Sequence, residues 1–83
     1  MGKKKLLKFW APWCGPCKQL SSTLSSIEVK VDTREINVDE EPEMAADYRV
    51  RGIPTLVLLD GGLEVARVTG SLSAQDLVDF LSQ

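Results

Sequence analysis

There is no histidine in these 83 residues, and only two cysteines, Cys14 and Cys17. A tetrahedral zinc site takes four Cys or His ligands, so one chain cannot build it without carboxylates or a second chain. Strong charge of one sign is missing as well: a net charge of −2 gives no basis for binding nucleic acid or an anionic membrane. No apolar run approaches the length of a membrane span. The basic segment Met1 to Lys5 is followed by Leu6 and Leu7, but Lys8 interrupts them, so the apolar region of a signal peptide does not form. Position 6 is Leu where an acylation signal needs Ser or Thr. A cytoplasmic location is therefore expected, with the lysines as solubilising charge on a terminal or edge strand. Low-complexity tracts, linkers and repeats are absent too. Residues 1–83 are expected to form one domain, near the lower size limit for folding without staples.

The two cysteines stand three apart in Trp13-Cys14-Gly15-Pro16-Cys17. A purely structural disulfide is a poor reading of that spacing, because so short a loop removes little entropy from the unfolded chain. An apolar run (Leu6, Leu7, Phe9, Trp10, Ala11) precedes the pair and a helical pattern follows it. A strand thus delivers two thiols to the start of a helix, where free N–H groups and the helix dipole favour a thiolate. Such a site suits reversible thiol–disulfide chemistry.

Periodicity divides the rest. Lys4 to Ala11 reads as a buried strand that Pro12 ends. The helix from Cys14–Cys17 onward turns Leu20, Leu24 and Ile27 to one face, with its serines mostly elsewhere. Thr33 to Val38 reads as a second strand, after an ambiguous stretch from Glu28 to Asp32. The acids and Pro42 in Asp39 to Glu43 read as the solvated start of a helix reaching about Tyr48, with Met44, Ala45 and Tyr48 inward. Leu56 to Leu59 and Glu64 to Thr69 read as a hairpin around Asp60-Gly61-Gly62. Ser73 with Asp76 marks a cap, opening a last helix with Ala74, Leu77, Val78 and Leu81 inward. The order β-α-β-α-β-β-α, with a crossover between the first two strands, predicts a four-stranded mixed sheet in an α/β sandwich.

At this point the chain resembles the thioredoxin family. Phe9-Trp10-Ala11-Pro12-Trp13-Cys14-Gly15-Pro16-Cys17-Lys18 matches that family's active-site signature. Asn37-Val38-Asp39 is similar to the end of its central strand, Tyr48 to Thr55 to the stretch carrying its cis-proline, and Thr69-Gly70 to its glycine-bearing loop. The resemblance implies a thioredoxin-like three-layer sandwich without the usual N-terminal strand and helix. It implies a protein-disulfide reductase in which Cys14, partly exposed, is the nucleophile and Cys17 resolves the mixed disulfide. Trp13, Gly15, Pro16, Ile53, Pro54 and Gly70 would form the substrate groove, with the Ile53–Pro54 bond cis and Trp10 packing beneath. No bound cofactor or metal is implied beyond the redox-active disulfide. Reducing equivalents would come from NADPH through thioredoxin reductase or a similar reductase, and the partners would be disulfide-containing proteins. A monomer is expected, with no nucleic-acid or membrane partner.

One departure bears on chemistry. Lys8 occupies the position of the family's usual buried Asp, and Glu35 that of its partnering Lys. A lone buried Lys is costly, so the pair Lys8–Glu35 is expected under the cysteines, with Glu35 as a proton acceptor and Lys8 as its charge partner. Two other readings stand beside the reductase: a glutathione-linked glutaredoxin, which Gly15-Pro16 and the two tryptophans disfavour, and a non-catalytic subunit of the same fold.

Overall fold

The computed structural model describes residues 3–27 and 29–83. The readings that involve Met1, Gly2 and Glu28 lie outside them. The elements run β1 (Lys4–Trp10), α1 (Gly15–Ser25), β2 (Asp32–Asn37), α2 (Pro42–Asp47), β3 (Thr55–Asp60), β4 (Leu63–Thr69) and α3 (Ala74–Leu81). The strands form one sheet in the order β2-β1-β3-β4. β1 runs parallel to β2 and antiparallel to β3, and β3 antiparallel to β4.

The inner strands β1 and β3 are apolar through most of their buried stretch because both of their faces are covered, with Lys8 the exception in β1. Leu6, Leu56 and Leu58 meet Leu20 of α1 and Leu77 and Phe80 of α3 on one face. Leu7, Phe9, Val57 and Leu59 join Ile36 on the other, with Met44 and Ala45 of α2 and its C-cap Tyr48 packed against them. Each fully buried Leu or Phe contributes about 1.5–3 kcal/mol. The result is three layers, with α1 and α3 on one side of the sheet and α2 on the other.

Local rules explain most boundaries. Gly61 and Gly62 have φ of +60° and +87°, the left-handed pair that a tight two-residue hairpin requires. The register between β3 and β4 shifts at Leu58/Leu59: Leu58 pairs with Ala66 and Leu59 with Glu64. Val65 is left as the extra residue of a bulge and lies exposed. Arg49 closes α2 at φ +55°, while Val50 N–H reaches Ala45 O at 2.8 Å and Arg49 N–H reaches Ala46 O at 3.0 Å. These are the two bonds of a Schellman cap.

Two expectations need correction. In α3, Phe80 and Leu77 are buried, whereas Val78 and Ala74 are exposed, because the helix lies with its Leu77–Phe80–Leu81 edge on the sheet. Ser21 does not avoid the sheet, since its hydroxyl accepts a hydrogen bond from Lys8.

Candidate active site

Strand β1 stops at Trp10, and a turn from Ala11 O to Cys14 N–H at 3.1 Å redirects the chain into α1. Cys14 is the cap of that helix. Its Sγ accepts a hydrogen bond from Cys17 N–H at 3.1 Å, the place where Ser or Asp caps a helix. Sulfur at this position sits against free N–H groups and the positive end of the dipole, which favour a thiolate. Pro16 fits the first turn because no N–H is needed there. Cys14 and Cys17 form a disulfide, with Cα atoms 5.3 Å apart.

Both sulfurs are covered. Cys14 is 4% exposed and Cys17 2%, so the partial exposure expected of Cys14 is not met in the oxidised protein. Ala11 packs with the pair, and Trp10, Val38 and Ile53 close over it. Trp10 thus lies against the site, as expected. Trp13, in contrast, is 69% exposed, and its Nε1 donates to Asp39 Oδ2 at 2.9 Å.

The expected groove residues are brought together unevenly. Trp13 and Ile53 line an open groove of about 390 Å³ with Val38, Val50 and Arg51. The Ile53–Pro54 bond is cis, and the Pro54 ring is buried. Gly70, at φ +100°, donates its N–H to Pro54 O at 2.8 Å, which ties its loop to the proline. Ser71 Oγ then donates to Pro16 O at 3.1 Å, joining that loop to the start of α1. Gly15 and Pro16 remain exposed on the rim. Val38, Val50 and Arg51 were not foreseen, since only the fold carries them to Trp13.

Lys8 and Glu35 are directly paired in the β1–β2 register. Lys8 Nζ lies 3.7 Å from Glu35 Oε1, with the lysine buried and the carboxylate exposed. A second pocket of about 220 Å³ opens between Cys17, Lys18, Ser21, Glu35 and Pro12. Among the described residues, no group of three or more His, Cys, Asp or Glu is placed to hold a metal ion.

Known proteins carry the same architecture. The family model for Thioredoxin matches residues 2–83. A thioredoxin of Haemophilus influenzae is 42% identical over 82 residues, covering 94% of this chain and 77% of that protein. Thioredoxin 1 of Nostoc is 38% identical over 82 residues, with the same shares. A mutant thioredoxin from Halobacterium salinarum superposes with a TM-score of 0.89 at 35% identity, covering 96% of this chain and 73% of that one. A thioredoxin from Fasciola hepatica gives 0.87 at 30% identity, covering 98% and 80%. Sequence, fold and a disulfide at a helix start agree: the chain belongs to the thioredoxin family, and it is a thiol–disulfide oxidoreductase that reduces protein disulfides by cycling the Cys14–Cys17 pair.

Proposed function

We propose that Cys14 attacks and Cys17 resolves. The observation that carries this division is the cap: Cys14 Sγ receives the helix N–H, while Cys17 lies one turn inside. The Cys14 thiolate forms a bond to one sulfur of the substrate disulfide, whose other sulfur leaves with the electron pair and takes up a proton. Cys17, after losing its own proton, attacks Cys14 Sγ, and the second substrate sulfur leaves. Two electrons and two protons pass to the substrate, and the protein is left oxidised.

The substrate lies as an extended segment in the groove of Trp13, Ile53, Pro54 and Gly70, with Gly15 and Pro16 offering no side chain that blocks approach. Its backbone pairs with Ile53, and an apolar side chain fits the wall of Val38 and Val50. Glu35 accepts the proton of Cys17 across the pocket they share and passes it to solvent, with Lys8 as its charge partner. The chain acts as a cytoplasmic monomer, on disulfide-containing proteins. A reductase drawing on NADPH reduces it again.

Insulin reduction with alternative reductants tests this reading. NADPH with thioredoxin reductase should sustain turnover, and glutathione at equal reducing capacity should give at least tenfold less. Faster turnover with glutathione would make the chain a glutaredoxin-type enzyme instead.

A further inference from the structure

Lys8 is the buried charged side chain among the described residues, at 3% exposure. Its strand neighbours are Glu35 on β2 and Leu56 on β3. The ammonium has two polar partners: it donates to Ser21 Oγ and lies 3.7 Å from Glu35 Oε1. Those partners are unequal. The Lys8 side chain is 4% exposed and that of Glu35 61%. Water screens the carboxylate far more than the ammonium, so the pair is not neutral when viewed from inside the protein.

Ser21 fixes where that charge is felt. It stands four residues after Cys17 on α1, so the two side chains share a helix face, with Cβ atoms about 5–6 Å apart. Cys17, Ser21 and Glu35 line one pocket of about 220 Å³, room enough for water. Lys18, from α1, is the other charged side chain on its wall. Leu56 faces Lys8 from β3, and Leu6, Leu20, Leu77 and Phe80 fill the core on that side of the sheet. Those neighbours add no negative charge, and the N-terminus of α1 contributes a partial positive one.

We propose that Lys8, held by Ser21, is a positioning residue whose charge stabilises the thiolate of Cys17 and makes the Cys14–Cys17 couple more oxidising. The proposal rests on Cys17 as the resolving thiol. When the mixed disulfide resolves, the Cys17 proton goes to pocket water or to Glu35. The electron pair left on sulfur then forms the bond to Cys14 as the bond from Cys14 to substrate breaks. Lys8 takes no part in the proton transfer and supplies only field. A thiolate stabilised in the reduced protein shifts disulfide exchange toward the dithiol.

Two equilibrium measurements test this. In a Cys14→Ser background the sole thiol is Cys17, and its thiolate absorbance can be titrated directly. Lys8→Met should raise the midpoint by about one pH unit, the lower end of what an opposite charge at close range supplies. Lys8→Arg should restore most of the shift. Glu35→Gln, at an exposed side chain that leaves the fold intact, should lower the midpoint, because it removes the opposing charge. In the protein with both cysteines, equilibration with glutathione at a pH above the Cys17 midpoints should move about tenfold toward the disulfide in Lys8→Met and toward the dithiol in Glu35→Gln, and the shift should vanish well below those midpoints. A tenfold change corresponds to about 30 mV for this two-electron couple. Unmoved midpoints, or a fall in Lys8→Met, would overturn the proposal. A wrong division of roles between the cysteines would show instead in which of them carries a trapped substrate.

Discussion

Lys8 and Thr55 are both polar and both buried, and the fold satisfies them in different ways. Thr55 stays local: its hydroxyl donates to Gly52 O at 2.6 Å and meets the Thr69 hydroxyl at 3.1 Å, which binds the cis-proline segment to β4. Lys8 reaches across layers to Ser21 on α1 and Glu35 on β2. The surface ion pair Glu64–Arg67 is a third case. Arg67 grips the carboxylate with Nε and Nη2, both at 2.9 Å, and donates onward to Tyr48 O and Arg49 O, tying β4 to the end of α2. The hydrogen bonds from Arg67 hold the Glu64 carboxyl below its usual range and outweigh the opposing effect of burial. A depressed carboxylate stabilises the fold above its unfolded pKa, and that contribution is lost as pH falls through the folded value. Because the pair is solvent-exposed, Glu64→Gln should cost only about 0.5 kcal/mol at pH 7. Parallel urea titrations should show the two proteins converging below about pH 4. A difference that persists at low pH would mean the carboxylate charge is not its source.

Helix α3 shows what periodicity can and cannot settle. Its existence and its cap were legible: Ser73 Oγ accepts from Asp76 N–H at 3.1 Å, as the Ser-x-x-Asp spacing implies. Its inward edge was not, since Leu77, Val78, Phe80 and Leu81 cover nearly half a turn and only packing on the sheet selects among them. Phe80→Ala should therefore destabilise the protein by about 3–5 kcal/mol. Val78→Ala should change stability by no more than about 0.5 kcal/mol. Thermal or denaturant unfolding of both variants gives the comparison, and equal costs would contradict the observed edge. The bulge at Val65 was hidden for a related reason. Alternation from Glu64 to Thr69 reads as a regular strand, and an extra residue is seen only once β3 supplies the register. The Schellman cap of α2 was missed because its left-handed residue is Arg49, where sequence reasoning looks for glycine.

At the scale of the molecule, β1 joins the two halves of the site. Its end presents Trp10 and Ala11 against the disulfide, and its middle sets Lys8 against Ser21 and Glu35. The Cys-Gly-Pro-Cys segment and the order of elements were legible because each is local or follows from chain order, whereas the cis bond at Pro54 was expected only through the family resemblance, since trans is the default for any X-Pro bond. The burial of Cys14, the role of Ser21 and the groove wall at Val38, Val50 and Arg51 depend on where separate segments meet. No helix among the described residues is long and apolar enough to cross a membrane. The central claim is the division of labour between the cysteines, and trapping tests it most directly. Cys17→Ser and Cys14→Ser proteins, each reduced and mixed with insulin, are compared by mass after quenching. The account predicts a disulfide-linked adduct on Cys14 in the first and none in the second. An adduct carried by Cys17, or none in either variant while the unaltered protein turns over, would contradict it.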